Sequence, residues 1–236
     1  MTRAKLEAGI FDVDGVLMAS PHERAWREAL KSFGDPDRLT TAVYQAEVAG
    51  KPRLDGARAA LRAVGAADAD RRAPAYAQAK QARLEELIHA GAVSAFPDAL
   101  RLVQALAELG LPMAVASSSK NANQMMRPIR LASGKSLLDA FSANVCGRDL
   151  TQGKPAPDIF LLAARALRLA PQTCFVAEDA TAGIEAARAG DMAALGVARL
   201  GDADPLHRAG ADLVVTTLDE IDVDALAQGR LCRRAT

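Results

Sequence analysis

The stretch Ala8-Gly9-Ile10-Phe11-Asp12-Val13-Asp14-Gly15-Val16-Leu17 decides how the rest of the chain reads. Ala8 to Val13 is a short apolar run ending in acids and a glycine, the pattern of a buried parallel strand with polar groups at its carboxyl end. Beyond it the spacing turns helical. His22 to Phe33 carries Ala25, Trp26, Ala29, Leu30 and Phe33 at helical spacing, and Gly34 is placed to end that helix. Further helical patterns run over Thr40 to Val48, Asp55 to Val64 and Asp70 to Ala90, with no strand pattern between Met18 and Val93.

From Phe96 the rhythm alternates. A helix starts at Pro97 and Asp98, and apolar strands are predicted at Met113 to Ala116, Phe141 to Val145, Phe175 to Ala177, Ala193 to Ala198 and Asp212 to Val215. Helices at Asn121 to Met126, Pro157 to Leu167, Thr181 to Ala189 and near Pro205 separate several of them. Such alternation implies an α/β fold, a parallel sheet with right-handed crossovers and helices on both faces. Residues 18–93 then form an all-helical insertion after the first strand, and residues 1–17 and 94–236 form the core.

A chain of 236 residues suits one core plus an insertion. Lys+Arg and Asp+Glu balance at 29 each with no long basic block, so neither a nucleic acid nor an anionic membrane surface is an expected partner. Cys146, Cys174 and Cys232 lack any metal-ligand spacing and read as reduced thiols. Asp12 and Asp14 interrupt the first apolar stretch before it could form a signal sequence, and no apolar run reaches the length of a membrane span. A cytoplasmic protein is expected.

In an open parallel sheet, ligands bind outside the carboxyl ends of the strands, where strand order reverses. Asp12, Asp14 and Gly15 end the first strand, Ser117-Ser118-Ser119 the second and Glu178-Asp179 a later one, and Gly153-Lys154-Pro155 lies just before a helix. Each alone has an ordinary reading as a turn former, helix cap or solvated side chain. Together they fit phosphoryl transfer. Asp12, Asp14, Glu178 and Asp179 around one crevice would repel unless cations shared it. Lys154 and a hard divalent ion meet that need, and Mg²⁺ takes only one or two carboxylates with waters and a phosphate oxygen. Asp12 is the candidate nucleophile, Asp14 the acid that protonates the leaving oxygen and then activates the acceptor, and Ser117 and Lys154 the groups on the phosphoryl oxygens.

With these residues in place the chain resembles the haloacid dehalogenase superfamily, in its β-phosphoglucomutase-like branch with a helical cap. Four motifs carry the resemblance in order: Phe11-Asp12-Val13-Asp14-Gly15-Val16-Leu17, Ala116-Ser117-Ser118-Ser119-Lys120-Asn121, Gly153-Lys154-Pro155-Ala156-Pro157-Asp158 and Glu178-Asp179-Ala180-Thr181-Ala182-Gly183. It implies a Rossmann-like catalytic core, an aspartyl-phosphate intermediate on Asp12, and Mg²⁺ served by Asp12, the backbone carbonyl of Asp14, Glu178 and Asp179. In the insertion, His22-Glu23-Arg24-Ala25-Trp26 is similar to a hinge segment whose histidine supports the acid/base. Gly50-Lys51-Pro52-Arg53 is similar to a segment whose arginine grips a second phosphate. The resemblance also implies that Lys80 reaches substrate, and that Ser119, Lys120 and Asn121 form the core side of the distal phosphate pocket beside Ser118. One departure is Met18-Ala19-Ser20-Pro21, where the family has an Asp-Ser or Asp-Thr pair and about two more residues.

The expected activity is Mg²⁺-dependent phosphotransfer from a small phosphate monoester, with a sugar phosphate as the expected partner and hydrolysis favoured. A β-phosphoglucomutase is the close alternative, since Arg53, Lys120 and Asn121 are candidates for a distal phosphate grip. Dehalogenation has no use for the acid/base at Asp14. A noncatalytic phosphosugar-binding module needs neither Asp12 nor Asp14 in the roles given.

Overall fold

The computed structural model describes residues 4–201 and 203–235; the first three residues of the expected core, residue 202 and residue 236 lie outside the described residues. In chain order the elements are β1 (Ala8–Phe11), β2 (Met18–Ala19), α1 (His22–Leu30), α2 (Thr41–Glu47), α3 (Arg53–Ala63), α4 (Ala69–His89) and β3 (Ser94–Ala95). There follow α5 (Pro97–Glu108), β4 (Met113–Val115), α6 (Ala122–Met126), β5 (Ala143–Asn144), α7 (Asp158–Leu167), β6 (Cys174–Glu178), α8 (Thr181–Ala189), β7 (Ala193–Val197), α9 (Ala203–Arg208), β8 (Leu213–Val215) and α10 (Val223–Ala227).

Six strands form one parallel sheet in the order β5-β4-β1-β6-β7-β8. Every residue of β1, β6 and β7 is buried, which is why these strands read as apolar runs without alternation. In register, Phe11 faces Val115 on one side and Ala177 on the other. The chain runs outward from β1 through β4 to β5, then returns to the far side of β1 for β6, β7 and β8. The reversal of strand order therefore lies at β1, and its carboxyl end carries Asp12. Gly9 serves packing here: a β-carbon would stand 2.6 Å from the Phe175 ring and 2.8 Å from the Phe11 ring. Those rings meet edge-on with centroids 5.7 Å apart.

The chain divides into two compact units, Met1–Ala19 with Ala95–Thr236, and Ser20–Ser94. The second unit is helical, and its core gathers Trp26, Leu30, Leu39, Ala57, Ala60, Leu61 and Tyr76. Tyr76 donates its hydroxyl hydrogen to the Trp26 carbonyl at 2.8 Å, so the polar end of a buried aromatic is satisfied while its ring packs.

Several expected boundaries move. The strand predicted over Phe141 to Val145 contracts to Ala143–Asn144, because Phe141 sits in the turn before it and packs its ring on Phe11 at 6.0 Å. The first helix stops at Leu30, whose carbonyl then accepts from the N–H groups of Phe33 and Gly34. Met18–Ala19 forms a two-residue strand with no legible period, and α10 escaped notice because five residues carry too little pattern, although Asp222 caps it through the Ala225 N–H at 2.8 Å.

Candidate active site

At the carboxyl end of β1 a buried ion cluster assembles from three distant stretches. Lys154 donates to Asp12 Oδ1 at 2.7 Å and also to Glu178 Oε1. All three are buried, Lys154 at 3 % exposure and Glu178 at 0 %. The other oxygen of Glu178 accepts from the N–H groups of Asp179 at 2.8 Å and Ala180 at 2.9 Å. Glu178 is thus turned inward as the acceptor that fixes both Lys154 and the turn leading into α8.

Two glycines make the room. Gly15 has φ +78, a conformation that side-chain-bearing residues rarely adopt, and a β-carbon there would overlap the Asp179 carboxylate. A β-carbon at Gly183, in the first turn of α8, would overlap the carboxylate of Glu178. Each glycine is required because a carboxylate occupies the space.

The electrostatics are strained. Burial, opposed by the Lys154 charge and reinforced by Glu178 and Asp14, pushes the Asp12 carboxyl up to about 7. Burial and the neighbouring charges of Glu178 and Asp12 likewise push Asp179 well above the carboxylate range. Burial works against the charge of Lys154, but Asp12 and Glu178 outweigh it and hold the ammonium above its ordinary range. The Cys146 thiol is pushed up to about 12 by burial and then by Asp12, which makes it inert beside the site.

Ser117 follows β4 and is buried; its Oγ accepts from the Ser119 N–H at 3.1 Å, and its carbonyl accepts from the Gly147 N–H at 2.8 Å. Ser119 Oγ accepts in turn from the N–H of buried Asn121 at 3.3 Å, and Ser118 is half-buried between them. Lys120 pairs at 2.7 Å with Asp149 on the surface. In the helical unit, Lys80 lies 2.9 Å from His22 Nδ1 and 4.9 Å from the centroid of the Trp26 ring, at 2 % exposure. The sequence reading of His22 and Lys80 therefore finds them together. Gly50 has φ +75 in the turn before α3, and Arg53 opens α3 half-buried.

A second buried network had no sequence motif to announce it. Asp98 Oδ2 accepts from Arg199 at 2.9 Å, from the Thr217 hydroxyl at 2.8 Å and from the Leu218 N–H at 2.7 Å. Arg199 also donates Nε–H to the Gly15 carbonyl and Nη2–H to the Val16 carbonyl, both at 2.9 Å, and lies 3.8 Å from the centroid of the Phe96 ring. Burial opposes ionisation of Asp98, yet the hydrogen bonds from Arg199, Leu218 and Thr217 hold its carboxyl below the usual range.

The donor chemistry beside Asp12 fits a hard divalent cation. Its carboxylates are hard oxygen donors, and the buried Asp12 and the half-buried Asp179 are pushed up, as like charges are when a further positive charge would relieve them. Among the described residues, no three or more His, Cys, Asp or Glu side chains are gathered into a ready ligand cage.

A match to the haloacid dehalogenase-like hydrolase family spans residues 6–191. Among characterised proteins, the β-phosphoglucomutase of Mycobacterium tuberculosis is 35% identical over 247 residues, covering 92% of each chain. Hexitol phosphatase A of Escherichia coli is 31% identical over 226 residues, covering 93% of this chain and 95% of that one. Among solved structures, the archaeal β-phosphoglucomutase of Pyrococcus sp. strain ST 04 superposes with a TM-score of 0.73 at 32% identity, covering 94% of this chain and 99% of that one.

Proposed function

The chain belongs to the haloacid dehalogenase-like hydrolase family, in its β-phosphoglucomutase-like branch, and from that premise we propose that it moves the phosphoryl group of a small sugar phosphate onto Asp12 and then onto water. It is an enzyme of the phosphatase or phosphomutase type. The observation that carries the mechanism is the buried Lys154 bridging Asp12 and Glu178 at the reversal point of the sheet. A buried cation fixed beside a buried carboxylate stabilises charge gathering on a transferring phosphoryl group, and it does so most strongly where water is excluded.

The steps follow from the chain's own groups. Asp12 attacks phosphorus and the ester bond to the leaving oxygen breaks, with Asp14 delivering a proton to that oxygen. Lys154 and the N–H groups that follow Ser117 neutralise the phosphoryl oxygens. Water, deprotonated by Asp14, then attacks the aspartyl phosphate, returning Asp12 and releasing inorganic phosphate. Mg²⁺, held by Asp12, Asp179 and the Asp14 carbonyl with Glu178 behind them, would neutralise further phosphoryl charge.

The test is phosphate release from an aryl phosphate with Mg²⁺. The wild type is expected to turn over, and Asp12→Asn to fall by at least about a thousandfold, as nucleophile replacements do. Equal release by both proteins would remove Asp12 from the chemistry.

A second reading is supported by the 35% identical mycobacterial relative: a β-phosphoglucomutase in which a sugar hydroxyl replaces water. Arg53, Lys120 and Asn121, with Ser118, Ser119, Gly50 and Lys80, would then recognise the doubly phosphorylated sugar. Supplying β-glucose 1-phosphate with a trace of the 1,6-bisphosphate separates the two. Glucose 6-phosphate, lost in Arg53→Ala, indicates the mutase, and inorganic phosphate alone indicates hydrolysis.

A further inference from the structure

The mechanism uses Asp12, Lys154, Glu178 and Asp179 directly, but Asp14 can act only if the turn Gly15-Val16 holds it in place, and two features of the core unit grip that turn. On one face the Asp179 carboxylate fills the space of the missing Gly15 β-carbon. On the other, a single guanidinium from the loop after β7 takes the carbonyls of Gly15 and Val16 together, each at 2.9 Å. Within the turn, Gly15 N–H donates to the Met18 carbonyl at 2.9 Å and Leu17 N–H to the Val13 carbonyl at 3.0 Å, and at its far end the Leu17 carbonyl accepts from the Phe96 N–H at 3.0 Å. Arg199 is therefore a long-range side-chain tether of the Gly15 and Val16 carbonyls, 184 residues away in sequence from its first acceptor.

The tether is itself fixed. Asp98 accepts from Arg199 at 2.9 Å and is tied down by the Thr217 hydroxyl and the Leu218 N–H, and the guanidinium plane is packed against Phe96. Arginine suits this job because its planar fork reaches two carbonyls and a carboxylate from one rigid group, which a lysine ammonium on a flexible stem cannot reproduce. Spending all three guanidinium nitrogens on two main-chain carbonyls and a buried carboxylate is a large commitment for a residue with only a packing role. Its first acceptor, Gly15, adjoins the acid/base of the proposed reaction in sequence.

We infer that Arg199, anchored by Asp98, is a positioning residue that sets the Gly15-Val16 turn and through it the proton-delivering geometry of Asp14. The inference rests on the phosphotransfer reading and adds to it a residue outside all four motifs. Its signature is selective. A phenolate leaves without help, whereas an alkoxide leaves only if it is protonated, so a misplaced Asp14 harms sugar phosphates and spares aryl phosphates.

The experiment measures kcat/KM for wild type, Arg199→Lys, Arg199→Gln and Asp98→Asn on an aryl phosphate and on the hexose phosphate that wild type cleaves fastest. The ratio kcat/KM reports only the steps through first phosphoryl transfer, so the later hydrolysis of the phosphoenzyme does not enter. Thermal melts of each variant with Mg²⁺ confirm a folded sample at the assay temperature. The Arg199 variants are expected to lose on the order of tenfold to a hundredfold in kcat/KM on the hexose phosphate, the scale of a misplacement near 1 Å. On the aryl ester they lose less than about threefold, because no proton need be delivered. Asp98→Asn, which leaves Arg199 in place with a weaker anchor, is expected to fall between wild type and Arg199→Gln. Equal losses on both esters, or no loss on either, in folded variants would overturn the inference while leaving phosphotransfer intact. A wild type that cleaves neither ester, or an Asp12→Asn as active as wild type, would overturn the phosphotransfer reading and this inference with it.

Discussion

Two buried carboxylates in the same unit titrate in opposite directions. Asp12, 6 % exposed, is pushed up to about 7, while Asp98, also 6 % exposed, is held below the ordinary carboxylate range. Burial raises both, so the difference lies in the company. Asp12 shares one lysine with Glu178 and faces Asp14, an excess of acid over base. Asp98 has a guanidinium, a hydroxyl and two main-chain N–H groups to itself. The first arrangement is tolerated because it binds something positive and reacts; the second holds a turn. Strain kept at a working site is expected to make that site costly to stability, whereas a satisfied network is expected to contribute to it.

The widest split should appear in Asp12→Asn. Its turnover falls by at least about a thousandfold, yet the fold gains, because one acid leaves a crowded cluster and Lys154 keeps Glu178. Melting at pH near 8 without divalent ions should rise or stay level against wild type. A drop would mean that Asp12 contributes to folding, and the contrast with Asp98 would collapse. Asp98→Ala should do the reverse to the fold. Removing one partner of a buried ion pair leaves the other uncompensated, here Arg199 at 14 % side-chain exposure, and costs about 3 kcal/mol. Denaturant midpoints at constant m-value measure it.

How much of this was legible in the sequence depends on how local each signal is. Asp12, Asp14, Ser117, Glu178 and Asp179 sit at abrupt ends of apolar runs, where a strand gives way to a turn, and Lys154 lies just before a helix, so the alternation of strands and helices is enough to point to the carboxyl ends of the sheet. Arg199 and Asp98 carry no such mark. Arg199 follows an apolar run as many surface arginines do, and Asp98 reads as an ordinary acid in the first turn of a helix. Their pairing spans 101 residues and exists only once β7 and α5 are packed. Phe141 reads as part of a strand for a similar reason. Its apolar character belongs to a contact with the Phe11 ring, not to strand pairing. The burial of Lys80 is equally hidden, since a lone lysine on a helix reads as solvated until His22 and Trp26 are brought beside it.

The role of glycine sharpens the comparison with a smaller effect. In an ordinary helix interior, Gly→Ala stabilises by about 1 kcal/mol. At Gly183 the new β-carbon would strike a carboxylate held by Lys154 and by two N–H groups, so it cannot swing aside. Overpacking of about 1–3 kcal/mol outweighs the propensity gain. Gly183→Ala is therefore expected to destabilise by about 1 kcal/mol net and to lower turnover, because Glu178 can move only by shifting Lys154. A more stable Gly183→Ala with full activity would show that Glu178 is free to move, and the crowding assigned to the Asp12 cluster would be wrong.

The smallest effect tests the other half of the comparison, through pH. The folded Asp98 carboxyl titrates below its unfolded value of about 3.9. Its charge therefore contributes stability that is fully present above that unfolded value and is lost as pH falls through the lower folded one. Asp98→Asn lacks this contribution at every pH. The stability gap between wild type and Asp98→Asn should hold constant from neutrality down to about pH 5 and then narrow by about 1 kcal/mol towards pH 3, as the wild-type carboxyl takes up its proton. Urea unfolding of the two proteins at matched pH values gives the gap directly. A gap that widens on acidification would mean that protonation strengthens the Asp98 site. Arg199 would then be held by packing on Phe96 and by its two carbonyl acceptors, with no help from the charge of Asp98.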